Sequence, residues 1–150
     1  MSHFACYYHI IWRTCCSEFT ITEANEKELY AYILGLCKAK GCVIYRIGGI
    51  ENHIHMLISI RPDIAVSTLM RVLKTGTSKW LKANNNKFPL FKGWATGFAV
   101  FTYCQRERDM IYQYIKNQKQ HHKGQTLSDE YVQILRTWNI DPSTDKFLQD

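Results

Sequence analysis

The chain has 150 residues, 46% of them hydrophobic, and 19 Lys and Arg against 13 Asp and Glu give a net charge of +6. That is one domain's worth, expected over 1–150, with a globular rather than a disordered composition. No apolar run reaches the length that spans a bilayer, and the N-terminus lacks the charged start and apolar stretch of a secretory leader, so a cytoplasmic protein away from membranes is expected.

The basic excess, with pI near 9.0, suits a phosphate-rich partner, because each phosphate neutralised releases condensed counterions. Cys6, Cys15, Cys16, Cys37, Cys42 and Cys104 contain no CxxC pair, which argues against a zinc ribbon. They read as reduced thiols packed as small hydrophobes.

In chain order, Phe4 to Thr14 is rich in aromatic and β-branched residues and reads as a strand. Leu29, Tyr32, Ile33, Leu36 and Cys37 recur at helical spacing, with Glu23, Glu26 and Glu28 near the start and Lys38 and Lys40 near the end. Cys42 to Ile47 is a second strand, broken at Gly48-Gly49, and His53 to Ile60 is a third. Val66, Leu69, Met70, Leu73, Thr77, Trp80 and Leu81 mark a second helix, followed by a long polar loop from Asn84 to Gly97. Phe98 to Tyr103 is the fourth strand. A polar Cys104 to Asp109 segment then leads into a helix through Met110, Ile111, Tyr114, Ile115 and Gln118. Leu127, Tyr131, Ile134, Leu135 and Trp138 mark a last helix, and a tail is expected over 141–150. The order is β-α-β-β-α-β plus two helices. It predicts an α+β, ferredoxin-like antiparallel sheet with helices on one face, followed by a C-terminal tyrosine-bearing helix and a further helix.

Within the third strand, His53 and His55 point to one face while Ile54 and Met56 point to the other, so both imidazoles can share a metal ion. Tyr114 and Gln118, four apart on a helix, stack on one face. A tyrosine can be a nucleophile and a glutamine amide oxygen can complete a metal's coordination sphere. Tyr112 and Tyr103 compete with Tyr114 for the nucleophile's role, and a tyrosine in an apolar stripe also suits a core. A metal on His53, His55 and Gln118 would polarise a scissile phosphate, with Tyr114 one turn away for in-line attack.

ENHIHMLISI resembles the HUH motif of the single-tyrosine transposases of the insertion sequence 200 type. YQYIKNQKQHHK, Tyr112 to Lys123, resembles their tyrosine helix with its YIxNQ core. YYHIIWRT, LMRVLKTGTSKWL and GFAVFTY also fit the family pattern, and the Gln-His-His ending resembles the REP-associated tyrosine transposase branch. The resemblance implies a DNA transposase that cuts and rejoins single-stranded DNA through a 5′-phosphotyrosine and recognises hairpin ends. It implies Mg or Mn on His53, His55 and Gln118, Tyr114 as nucleophile, and a homodimer whose active sites are shared between subunits. One departure is Asn52, where family members often carry an acid before the first histidine; an orienting role there would bear on metal affinity. Imidazole-rich sites also favour Zn or Ni.

On the second helix Arg71, Lys74, Lys79 and Lys82 suit either a solvated face or phosphate contacts, and Lys87, Lys92 and Trp94 could add charge and a stacking surface for unpaired bases. His121, His122 and Lys123 suit the helix's C-terminal carbonyls, or a helper role near the metal. Two other readings are a nucleic-acid-binding module of the same fold without catalysis, domesticated copies included, and a metallohydrolase that needs no tyrosine. The RNP aromatic pattern of RNA-binding split sheets is not evident.

Overall fold

The computed structural model describes residues 3–149. Strands β1 (Tyr7–Arg13), β2 (Val43–Ile50), β3 (His53–Ser59) and β4 (Ala99–Tyr103) pair antiparallel in the order β2-β3-β1-β4. Helices α1 (Glu26–Ala39) and α2 (Val66–Ala83) follow β1 and β3, giving the expected βαββαβ order. Strand alternation decides what each face holds. Ile54, Met56 and Ile58 of β3 and Ile10 and Trp12 of β1 form one core with Leu29 and Ile33 of α1 and Leu69 and Leu73 of α2. The opposite residues, His53, His55 and Leu57 of β3 with Tyr7, His9 and Ile11 of β1, face the C-terminal helices. Every residue of β3 is buried, because both faces are covered.

That second face is covered by α3 (Gln105–Lys116), α4 (Gln118–His121) and α5 (Leu127–Thr137). Ile111 and Ile115 of α3 pack on Tyr7 and Leu57, while Tyr131 and Leu135 of α5 pack on Ile11, Ala99 and Phe101.

Four boundaries differ from the sequence reading. Strand β2 does not break at Gly48-Gly49 but runs through both to Ile50, pairing them with His55 and Ile54. The glycines serve close approach: a Cβ on Gly48 would lie 2.5 Å from the Ile115 carbonyl oxygen, and one on Gly49 2.2 Å from that of His53. The bare backbone of Gly48 lets α3 settle on β2, and that of Gly49 lets the β2–β3 turn close against His53. Next, Cys104 to Asp109 is no linker. Helix α3 starts directly after β4, with Glu107 Oε1 accepting from the Cys104 amide at 3.2 Å. The tyrosine helix also bends at Asn117 (φ −94°, ψ 17°), so Gln118 begins α4 rather than continuing α3. Finally, the expected tail is docked. Phe147 is buried against Tyr131, and its carbonyl accepts from Arg13 Nε at 3.0 Å. Among the described residues the cysteines form no disulfide, and no helix is long and apolar enough to cross a membrane.

Candidate active site and metal centre

His53 and His55 project from β3 as alternation requires, with ring centroids 4.9 Å apart. Helix α3 brings Tyr114 to 5.8 Å from the His55 ring. Despite the bend, Gln118 reaches the same place, its Oε1 lying 3.0 Å from His53 Nε2. The four residues singled out in the sequence therefore meet within one chain. Lys119 fastens α4 there, donating to Glu26 Oε1 at 2.7 Å and to the Gly49 carbonyl at 3.1 Å. Of the competing tyrosines, Tyr112 turns toward Arg46, which lies over its ring, and Tyr103 packs beside Trp138. Neither contacts the histidine pair as Tyr114 does.

At the centre stands a residue the sequence reading did not single out. Glu130 of α5 is 1% exposed. Its Oε1 lies 3.0 Å from His55 Nε2, 3.4 Å from His53 Nε2 and 3.2 Å from His122 Nε2. Its Oε2 accepts from the Tyr114 hydroxyl, and from Gln118 Nε2 at 2.7 Å. His53, His55 and Glu130 offer donor atoms within 4.8 Å of one another, a spacing that could hold a metal ion. Burial alone would raise the Glu130 carboxyl, but the neighbouring His55 and the hydrogen bond from His122 outweigh it and keep it ionised. Burial, with the Glu130 charge added, pushes the Tyr114 phenol well above its usual range.

The hydrogen bonds on the far side of each ring fix which nitrogen faces inward. Asn52 Oδ1 lies 2.7 Å from His53 Nδ1 while Asn52 Nδ2 donates to the Ser17 carbonyl, so His53 Nδ1 carries the proton. Asn52 thus orients the first histidine as an acid there would. Burial lowers His53 to about 4, so the ring is neutral and its contact with Glu130 is not an ion pair. A neutral ring protonated at Nδ1 aims an Nε2 lone pair at two oxygens, Gln118 Oε1 and Glu130 Oε1. Acceptors facing acceptors repel unless a cation lies between them. Two imidazoles, a carboxylate and an amide oxygen are a donor set that fits a divalent metal.

His122 offers an alternative counter-charge. Its Nδ1 is held by the Gln125 carbonyl at 2.7 Å, and although burial alone would lower it, its hydrogen bond to Glu130 raises it overall. Between the two expectations for the Gln-His-His end, helper and carbonyl cap, His122 takes the first position. His121 packs on the Tyr114 ring at 4.8 Å. Behind His55, His9 Nε2 lies 2.7 Å from His55 Nδ1 and buttresses the second histidine.

The family described as Transposase IS200 like matches residues 2–118. The chain belongs to this family. It is a DNA-strand-cleaving transposase of a family that works with a divalent metal. Transposases for insertion sequence element IS200 from Salmonella typhimurium (strain LT2) and Salmonella typhi are each 29% identical over 136 residues, covering 84% of this chain and 86% of theirs. Two solved structures share the fold. A candidate transposase of Deinococcus radiodurans R1 matches with TM-score 0.60 and 21% identity, over 79% of this chain and 95% of its own. A REP-associated tyrosine transposase bound to a REP hairpin matches with TM-score 0.58 and 14% identity, over 81% and 74%. The family match ends at Gln118, so His122 and Glu130 of this IS200-like chain lie beyond it.

Arg71, Lys74, Lys79, Lys82 and Trp94 together line a groove of about 680 Å³ between α2 and the 84–97 loop. It lies on the α2 side of the sheet, opposite the histidines, with the edge strand β4 between. Two of the five are committed to the fold. Lys74 Nζ donates to the Ala95 and Gly97 carbonyls, and Trp94 Nε1 donates to Thr77 Oγ1 at 2.9 Å while its ring packs edge-on against Trp12. Arg71, Lys79 and Lys82 remain exposed. Lys87 pairs with Glu28 at 2.7 Å and Lys92 with Glu18 at 3.6 Å.

Proposed function

We propose that this transposase cuts and rejoins single-stranded DNA through a covalent 5′-phosphotyrosine on Tyr114, with a divalent metal, Mg or Mn, held by His53, His55, Glu130 and Gln118. The observation that carries this reading is the convergence of the Tyr114 hydroxyl and both histidine Nε2 atoms on one buried carboxylate, Glu130. When bound, the metal would polarise the scissile phosphate and stabilise charge gathering on its oxygens. The chain's own residues do the rest. Asn52 and His9 hold the two rings, and Glu130 Oε2 fixes the phenol and is the nearest acceptor for its proton. The Tyr114 oxygen forms a bond to phosphorus as the bond to the 3′ oxygen breaks, and that oxygen leaves protonated as a free 3′ hydroxyl. A second 3′ hydroxyl later attacks the tyrosyl ester, restoring a phosphodiester and the phenol. The energy of the original bond is conserved, so no nucleotide triphosphate is consumed.

The test is to incubate protein, Mg²⁺ or Mn²⁺ and labelled single-stranded DNA from the sequence flanking the gene, then look for a denaturation-resistant adduct. DNA binding with no adduct under any metal would favour the non-catalytic module. The same assay decides whether sites are shared. The expectation from family resemblance is a homodimer with histidines from one subunit and Tyr114 from the other. The packing of α3 on its own β2 and β3 supports a site assembled within one chain. A His53→Ala/His55→Ala protein mixed with a Tyr114→Phe protein then yields no adduct. Recovered adduct after subunit exchange would instead support shared sites.

The groove supports binding of a hairpin stem. Arg71, Lys79 and Lys82 contact phosphates there, and the single strand continues past the β4 edge to Tyr114. Log affinity then falls linearly with log salt, and Lys79→Ala/Lys82→Ala lowers the slope by about two, one for each lysine removed from a phosphate. An unchanged slope would move the stem elsewhere.

A further inference from the structure

On the far side of Tyr114 from Gln118 lies a cleft of about 340 Å³ between β4, α3 and α5, which no part of the reaction above uses. We infer that this cleft is a subsite for the unpaired nucleobase of a nucleotide flanking the scissile phosphate; the inference rests on the strand-cutting reading of Tyr114. Its walls are Tyr103, Trp138, Met110 and Ile134, with His9 and Tyr114 also lining it.

Three features select a base as occupant. The first is shape and surface. Tyr103 and Trp138 meet edge to face at 5.5 Å, Trp138 is stacked on Phe101 at 5.6 Å, and Trp138 as a residue stays 39% exposed. Such aromatic surfaces stack unpaired bases regardless of sequence. The second is charge. The lining contains no Lys or Arg and one carboxylate, Glu107, so in a chain of net charge +6 this is a place for an uncharged ring and not for a phosphate. The third is an unmatched polar atom. His9 is 1% exposed, its Nε2 is engaged by His55, and its Nδ1 has no hydrogen-bond partner. Buried ring nitrogens are normally satisfied; this one is sealed just behind the cleft wall, where a base pressing on that wall brings the donors and acceptors that His9 lacks. Because Tyr114 forms part of the wall, the base placed there belongs to a nucleotide next to the reacting phosphate. Seating it would orient that phosphate toward the phenol, a positioning effect distinct from chemistry.

The test couples protein to substrate. The cut site in the labelled DNA is mapped, and an abasic residue is placed on either side in turn. At one of the two positions the abasic residue slows wild-type adduct formation about tenfold, within what base–aromatic stacking supplies. Trp138→Ala slows the intact substrate to the same extent, and the abasic residue then adds nothing; Trp138→Phe, which keeps a ring, restores most of the rate. Multiplicative slowing at both positions, or normal speed in Trp138→Ala, would overturn the subsite. A second measurement does not need cleavage. In chelator, tetradeoxynucleotides of each base are titrated while the Trp138 indole resonance, assigned by its loss in Trp138→Phe, is followed. Movement of that resonance supports the cleft even if no adduct ever forms, in which case the strand-cutting reading fails by itself. A fixed Trp138 resonance while the oligonucleotide shifts others overturns the cleft.

Discussion

Tyr114→Phe protein forms no covalent adduct with single-stranded DNA yet binds it with nearly unchanged affinity. The substitution removes one oxygen and keeps the ring that packs against His9, His55 and His121. The lost hydrogen bond ends on Glu130 Oε2, which still accepts from Gln118 Nε2, so the carboxylate is not stranded. The stability cost is therefore about 1 kcal/mol, the net worth of one hydrogen bond, read as a shift of a few degrees in Tm. Adduct formation has no such reserve, because no other hydroxyl replaces the phenol. The Tyr112 hydroxyl, 3.5 Å from Arg46, is turned to the other side of α3, and Tyr103 forms the cleft wall beside Trp138, away from the two histidines. Adduct persisting in Tyr114→Phe would transfer the nucleophile's role to one of these, and Tyr112→Phe and Tyr103→Phe would identify which. Failure to bind would mean that the phenol supports the DNA surface, contrary to its placement across the sheet from the groove.

How much of this was legible beforehand follows from the range of the interactions. Period-two alternation is local, and it put His53 and His55 on one face correctly. Helical spacing is nearly as local and brought Tyr114 and Gln118 together, although the bend at Asn117 escaped it because Asn117 is an ordinary helix residue by pattern. Glu130 was visible in principle. Leu127, Tyr131 and Leu135, with the half-buried Ile134, define the inward stripe of α5, and position 130 completes its i, i+3, i+4, i+7 spacing with a carboxylate. A charged residue in a buried stripe is a mismatch that calls for a partner. The identity of that partner was not visible, since it depends on α5 folding back over a strand 75 residues earlier. His9 is hidden for the same reason. It reaches His55 only because β1 lies between β3 and β4, with His9 paired to Leu57 and Ile11 to His55. Phe147 belongs to this group too, a residue of an apparent tail whose burial depends on Arg13 and Tyr131.

Glu130→Gln is the substitution that separates the sequence's choice of third donor from that of the folded chain. The glutamine keeps shape and one acceptor oxygen but loses the negative charge that faces His55 and His122 and would face a bound cation. Affinity for a hard divalent ion follows the charge count of its donors, so Mn²⁺ binding, followed by calorimetry or by the loss of free-ion paramagnetic signal, weakens by about 10–100-fold. Adduct formation falls with it at limiting metal and recovers in part when Mn²⁺ is raised, because the phenol can still donate to the new amide oxygen. Gln118→Ala, which removes a neutral donor, has the smaller effect on Mn²⁺ binding. His53→Ala and His55→Ala abolish both metal binding and adduct, and added metal does not rescue them, since each removes one of the two imidazoles of the proposed ligand set. If Glu130→Gln binds Mn²⁺ like the wild type while Gln118→Ala loses it, Glu130 is not a metal ligand. The carboxylate would then serve as a cap over the site, holding Tyr114 and the histidines until α5 moves aside for DNA.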